Sequence, residues 1–528
     1  MRHFPPPVHR LLLRRPQHWS LLWPQLWSQR GLHHRLGVPL LLAAALLAGC
    51  ATSTVRNPVT GENERTVMDE PSEIAEGKKA HAQVLQEYGV YPNPKLQAYV
   101  NGIGQRLAKQ SERSQLEWHF TVLDSPEINA FALPGGYVYV TRGIMAYMDS
   151  EADLAGVIGH EIGHVTARHG AQRATRQQRA GVGVVAATIL GAVLEGVGVG
   201  GAGQLANQVS QSVAAGYIAS YGREQELQAD QLGAEYLART QYDPRNMIDV
   251  IQVLKNQERF ADDAARADGR TPQPHTNWLA SHPSNDKRLA DITQIAQKYQ
   301  GKYADDGRTR YLQAIDGMTF GESREQGVTR GRNFYHEPMG FALTAPLGWK
   351  LRNEADAITM INPEGNAGLV VKIVPAKAGG THEEIIRNVL KPDSGRTLRT
   401  TLNGFTATRF AGSRNNEQGQ AQPLEVTIVT GPSAQNYLMG YVSKDADSLQ
   451  RARRLIQEAE VSFRALTAAD RAAARPWAVK AVPYQRGGFA QLARQSPLPS
   501  LPEQQLKLIN GVYGGGEPQP GQLVKVIE

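Results

Sequence analysis

The run His160-Glu161-Ile162-Gly163-His164 constrains this 528-residue chain more than any other feature, because its chemistry makes sense only on a helix. At i and i+4 the two imidazoles project from one face, close enough to hold one cation, while Glu161 lies to the side within reach of a water. The flanking residues agree. Ser150 with Asp153 three residues on has the form of a capping box, Gly170 is a natural stop, and residues 151 to 169 read as one helix. Leu154, Ile158 and Ile162 form its apolar stripe. Ala155, Gly159 and Gly163 form a second stripe of minimal side chains, which costs about 1 kcal/mol of propensity per glycine and predicts a very close neighbour. The alternative is a core helix that carries the polar residues by accident.

A catalytic zinc site needs a third protein ligand. The next candidate lies in Arg223-Glu224-Gln225-Glu226-Leu227-Gln228-Ala229-Asp230, where Glu226 and Asp230 share a helical face. Glu226 completes a His160, His164, Glu226 set for one Zn2+, and Asp230 is placed to orient a ligand histidine through its second ring nitrogen. Leu227, Ala234 and Leu237 are expected to pack this helix inward. Without a preceding metal helix, such a run reads as a solvated charged helix start. Glu161 is the expected general base, moving a proton from water to the leaving amine. An extended substrate is expected to add to the strand that contains Asn129, Phe131 and Leu133 through main-chain hydrogen bonds.

These motifs, in this order, resemble the gluzincin peptidase family M48. Asn129-Ala130-Phe131-Ala132-Leu133-Pro134-Gly135-Gly136 with Tyr137-Val138-Tyr139-Val140 is similar to the family's strand and turn before the metal helix, and His282-Pro283 with Arg288 to its downstream His-Pro motif. The resemblance covers about residues 57 to 300. It implies a mainly α, zincin-like metallopeptidase domain with a small edge β-sheet, and His282 as a fourth ligand that latches the resting site. His169, five residues past His164, falls about 140° away on a continuous helix and reads as structural. His275 has no motif support.

Val38 to Leu47 is a short apolar run after Arg35, followed by Leu47-Ala48-Gly49-Cys50, the form of a bacterial lipoprotein signal. Cys50, the one cysteine, is the expected lipidated residue, and Ala51 after it suits sorting to the outer membrane. Ten apolar residues are too few to span a bilayer, which needs about 20. Residues 1 to 49 carry six arginines and no acid, so the formal charge of +7 less those six leaves +1, and the basic balance gives no argument for nucleic acid.

The reading is multidomain: a signal region over 1–49, a zinc metallopeptidase domain over 50–333, an α+β domain over 334–466, and a small LysM-like βααβ module over 476–528. The Gly-, Ala- and Val-rich stretch 181–203 is expected to form a lid or hairpin near the cleft. The expected activity is that of a periplasmic zinc endopeptidase, held to the outer membrane through Cys50 and acting on unfolded or misassembled envelope proteins. The outer-membrane assembly machinery and peptidoglycan are further partners this reading admits. The alternative is a chaperone-like or scaffolding lipoprotein with a latent zinc site.

Overall fold

The computed structural model describes residues 53–179, 221–267, 269, 278–282, 286–354, 357–415 and 420–528. The signal region with Cys50, the stretch 181–203, His275 and Pro283 lie outside the described residues.

The metal helix, Glu151–Thr166, is capped as its sequence predicts: Asp153 N donates to Ser150 Oγ at 3.0 Å and Ser150 N to Asp153 Oδ2 at 3.1 Å. It stops before Gly170. Arg168 takes a left-handed φ of 56°, and a second helix, His169–Arg179, starts beyond it. The small-residue stripe has the close neighbour it predicts, the helix Arg223–Arg239. A Cβ on Gly163 would stand 2.9 Å from Ala229 Cα, and one on Gly233 would stand 3.1 Å from His160 N. Two backbones in near contact let short side chains from both helices meet in one place. On the second helix Ala234 and Leu237 are buried as expected, whereas Leu227 is exposed because it sits opposite the seam.

A three-stranded sheet flanks the metal helix, with Tyr137–Thr141 between His119–Leu123, to which it is parallel, and the antiparallel edge strand Ala130–Leu133. The turn between the antiparallel pair needs Gly135 and Gly136 at φ 83° and 100°. Helices Glu70–Tyr88 and Pro94–Ala108 cover the sheet, and Asn246–Ala267 packs against the metal helix. An N-terminal hairpin pairs Ser53–Arg56 with Asn63–Thr66.

The chain is multidomain, a helical region followed by a β-rich one. Beyond Phe320 come a four-stranded sheet and a seven-stranded antiparallel sheet in which Ala367–Ile373 and Asn436–Ser443 are neighbours. The helix Ala446–Val461 packs on the larger sheet, and the core gathers Phe334, Phe341, Met360, Leu369, Ile456 and Phe463.

The last segment departs from the expectation of a free-standing module. Its βααβ order is present as Trp477–Pro483, Gly488–Ala493, Pro502–Ile509 and Leu523–Ile527. Trp477–Pro483 pairs not only with Leu523–Ile527 but also with Thr319–Phe320, the strand that ends the helical region. Val479, Phe489, Ile509 and Ile527 join the same hydrophobic core as Leu154 and Ile158 of the metal helix. The β-rich region is thus an insertion in a helical domain that the C-terminal residues complete. Among the described residues no helix is long and apolar enough to cross a membrane.

Candidate metal centre

His160, His164, Glu226 and His282 bring four donor groups to one buried point. His160 Nε2 lies 3.0 Å from His164 Nε2 and 3.1 Å from His282 Nδ1, and the last two are 3.3 Å apart. Glu226 Oε1 is 3.2 Å from His282 Nδ1 and 3.5 Å from His164 Nε2, and its Oε2 is 3.5 Å from His160 Nε2. A tetrahedron of donors at about 2.0–2.1 Å from a central ion has edges of about 3.3 Å. These separations match it. Three imidazole nitrogens cannot all donate to one another, and facing lone pairs at such distances repel unless a cation lies between them.

The ligands are oriented from behind. Asp230 Oδ1 accepts from His160 Nδ1 at 2.8 Å, which fixes the proton there and leaves Nε2 as the donor atom. Arg288 donates Nε and Nη2 to the two Asp230 oxygens, both at 2.8 Å, and Nη1 to the His282 carbonyl at 2.8 Å. The same Nη1 stands 2.9 Å from Glu226 Oε2. One guanidinium therefore braces a ligand carboxylate, the carboxylate behind a ligand histidine, and the backbone of His282.

Burial sets the protonation states. It pushes Glu226 up to about 7 against the opposing pull of Arg288 and His160, and raises Glu161 against the pull of His282. Burial also pushes the His282 imidazole down to about 3 and lowers His164 well below its ordinary value, with His160 and His169 adding to the second effect. Asp230 behaves oppositely: burial would raise it, but the charge and hydrogen bonds of Arg288 hold it well below the carboxylate range. Neutral imidazoles and costly carboxylates around one point are a donor set that a divalent ion relieves.

Glu161 lies beside this point and is fully buried. Its Oε1 accepts from Trp278 Nε1 at 3.1 Å, while Oε2 has no hydrogen-bond partner among the described residues. An unpaired buried carboxylate oxygen is costly unless a water or substrate group meets it.

The structure brings together every expected metal-site residue. It places the edge strand differently from the sequence reading. Thr141 N donates to Asn129 O, so by antiparallel alternation Phe131 and Leu133 spend their main-chain groups on Tyr139 and Tyr137, and Ala130 and Ala132 present theirs to the open edge. Ile128, in phase with these two, accepts from Trp278 N at 2.7 Å on that edge. The side chains of Phe131 and Leu133 are buried with Val84 and Tyr139.

Sequence reasoning missed two contributors, Trp278 and Tyr221. Trp278 holds Glu161 and stacks on His282 with centroids 4.6 Å apart, and Tyr221 stacks on His164 at 3.9 Å. The brace made by Arg288 was visible only as a spacing after His282. His169, read as structural from a continuous helix, is turned by the break at Arg168 so that its Nδ1 lies 2.8 Å from His164 Nδ1.

Residues 94–296 match the model of Peptidase family M48. The chain is similar to the beta-barrel assembly-enhancing protease of Yersinia pestis, with 29% identity over 54% of this chain and 61% of that protein. The protein of the same name from Escherichia coli (strain K12) is 30% identical over 42% of this chain and 43% of its own. Mitochondrial metalloendopeptidase OMA1 of Schizosaccharomyces pombe is 28% identical over 42% and 60%, respectively. The chain thus spans about half the length of the curated relatives it matches. The matched residues enclose the four converging donors, Glu161, Asp230 and Arg288, so the domain over residues 94–296 is a peptidase family M48 domain.

Proposed function

We propose that this protein is a zinc metalloendopeptidase of the bacterial periplasm that acts on unfolded or misassembled envelope proteins, anchored to the outer membrane by lipid on Cys50. The observation that carries the reading is the tetrahedral spacing of His160, His164, Glu226 and His282 with the unpartnered oxygen of Glu161 beside it. The names of the relatives support the substrate class, and the signal-like sequence before Cys50 supports the location. A zinc ion held by these residues supplies Lewis-acid polarisation of a peptide carbonyl and brings the acidity of water to about neutral pH.

The protein supplies the rest. Ala130 and Ala132 hold an extended substrate by its backbone, which reads chain conformation more than side chains and suits unfolded polypeptides. Glu161 Oε2 takes one proton of the attacking water and returns it to the leaving amide nitrogen, so the peptide bond breaks into a carboxyl end that keeps the water oxygen and an amine end that carries the transferred proton. Burial that raises the Glu161 carboxyl brings its basicity closer to what both transfers need.

His282 fills the fourth donor position, and a catalytic site keeps that position open. Trp278, four residues earlier, occupies the edge at Ile128 and bonds Glu161, so the segment Trp278 to His282 holds the resting enzyme shut at three points. The test is zinc content and casein cleavage of wild type, Glu161→Gln and His282→Ala. Wild type holds one zinc and cuts, Glu161→Gln keeps zinc and loses about 10²- to 10⁴-fold in rate, and His282→Ala cuts faster. Absence of zinc from wild type sinks the site. Undiminished cleavage by Glu161→Gln sinks the mechanism, and slower cleavage by His282→Ala sinks the latch.

A further inference from the structure

The hydrogen bonds behind His164 run in one direction only, and that direction is set by a residue far from the metal centre. Glu64, on the N-terminal hairpin, accepts at Oε1 from Asn57 Nδ2 at 2.8 Å. A carboxylate has no proton to give here, so the Asn57 end facing it is the amide N–H2. The same Asn57 Nδ2 lies 3.0 Å from Gln228, which must therefore present its carbonyl Oε1. Gln228 Oε1 in turn lies 3.1 Å from His169 Nε2, so the His169 proton resides on Nε2 and its Nδ1 carries a lone pair. That lone pair faces His164 Nδ1 at 2.8 Å and can only accept from it. With its proton on Nδ1, His164 has a lone pair on Nε2, the atom aimed at the metal centre.

We propose that His169, through Gln228, Asn57 and the carboxylate of Glu64, is a positioning residue that holds His164 in the tautomer presenting an Nε2 lone pair to the metal ion. The proposal rests on the metalloenzyme reading above and adds a second support to the site. His160 is fixed by Asp230, a charged partner on the ligand helix. His164 is fixed by a relay of neutral side chains that ends on the carboxylate of Glu64 in the N-terminal hairpin. The break at Arg168 is what makes the relay geometrically available, because it carries the fully buried His169 back over the His164 ring at an interplanar angle of 70°.

The test is equilibrium zinc affinity of the full chain, measured by competition with a chelator, for wild type, His160→Ala, His169→Phe, His169→Gln and Gln228→Leu. Phenylalanine keeps the ring and loses both hydrogen bonds. Glutamine loses the ring but has a carbonyl for His164 Nδ1–H and an N–H for Gln228. The relay predicts a ten- to hundredfold loss of affinity for His169→Phe, recovery of most of it in His169→Gln, and an intermediate loss for Gln228→Leu. A packing role predicts the reverse order of the two His169 variants. In the metal-free protein, 15N NMR of His164 should show the Nδ1–H form in wild type and a mixture in His169→Phe. Wild-type affinity in His169→Phe, with binding abolished in His160→Ala, overturns the relay alone. Failure of wild type to bind zinc overturns the metalloenzyme reading and the relay with it.

Discussion

His336 is buried in the β-rich region against Phe341, whose ring stacks on it at 5.7 Å, and its Nδ1 accepts from Met339 N at 3.4 Å. Burial pushes this imidazole down to about 4. The folded value lies below the unfolded one of about 6.5, so the contribution is complete above that pH and is lost as pH falls towards 4. Between pH 7 and 4.5 that is about 2 to 3 kcal/mol. Denaturant unfolding of wild type and His336→Phe at the two pH values should show wild type losing more stability on acidification by about that amount; equal losses would remove His336 as the cause. Burial of a single histidine is hard to read from sequence. The candidate metal-site residues are easier, because His160 with His164 and Glu226 with Asp230 each fall on one helical face by spacing alone. Trp278 and Tyr221 gain their roles only when separate segments meet at the site, so no local pattern marks them, and Arg288 is marked only by its spacing after His282. His169 shows the limit most plainly: its spacing from His164 excludes contact on a continuous helix, and one left-handed residue reverses the conclusion.

At the level of elements, the site depends on how closely two helices approach. The sequence carries this directly, since Gly159 and Gly163 spend helix propensity that only a near neighbour could offset. What it does not carry is the identity of the neighbour, which comes from packing. A methyl group on Gly163 would stand 2.9 Å from both Cα and O of Ala229, and backbone cannot swing aside as a side chain can. Gly163→Ala is therefore expected to destabilise the protein by about 1–3 kcal/mol through overpacking, outweighing the propensity it gains, and to weaken metal binding by pushing away the helix that carries Glu226. Gly156 offers the control on the same helix. Its added methyl would meet Met247 Cγ at 3.4 Å, ordinary contact, so Gly156→Ala should be neutral or stabilising by up to about 1 kcal/mol. Melting temperatures and zinc titrations of the two variants separate these effects, and a Gly163→Ala protein as stable and as metal-avid as wild type would show that the seam has slack.

At the level of the whole molecule, the insertion escapes sequence reading because the strand that marks its start, Thr319–Phe320, is two residues long and its partner lies beyond the entire β-rich region. The strands of that region are legible from their alternation, but the return of the chain to an earlier core leaves no periodic trace. The return is substantial. Val479, Phe489, Leu506, Leu508, Ile509, Val524 and Ile527 are fully buried, and at about 1.5–3 kcal/mol each they contribute on the order of 10 kcal/mol, comparable with the whole stability of a domain. Lys525 adds a polar fastening. Although burial lowers its basicity, its Nζ donates to Ala146 O at 3.1 Å and Met148 O at 2.5 Å and pairs with Asp149 Oδ1 at 3.1 Å, immediately before the cap of the metal helix. Two deletions therefore have opposite expected outcomes. Ending the chain at residue 476 strips the core beneath the metal helix and should give an unfolded or aggregated protein without zinc. Replacing residues 322–475 with a four-residue turn should fold, because Phe320 and Trp477 already face each other as strand partners, and it forfeits the bonds of Ser323 Oγ and Gln326 Nε2 to Asp124, about 1 kcal/mol each. Circular dichroism and zinc content of the two proteins decide the matter: a folded, zinc-binding truncation at 476 would make the C-terminal segment a separate module after all, and an excised protein that cannot fold would make the β-rich region part of the peptidase core.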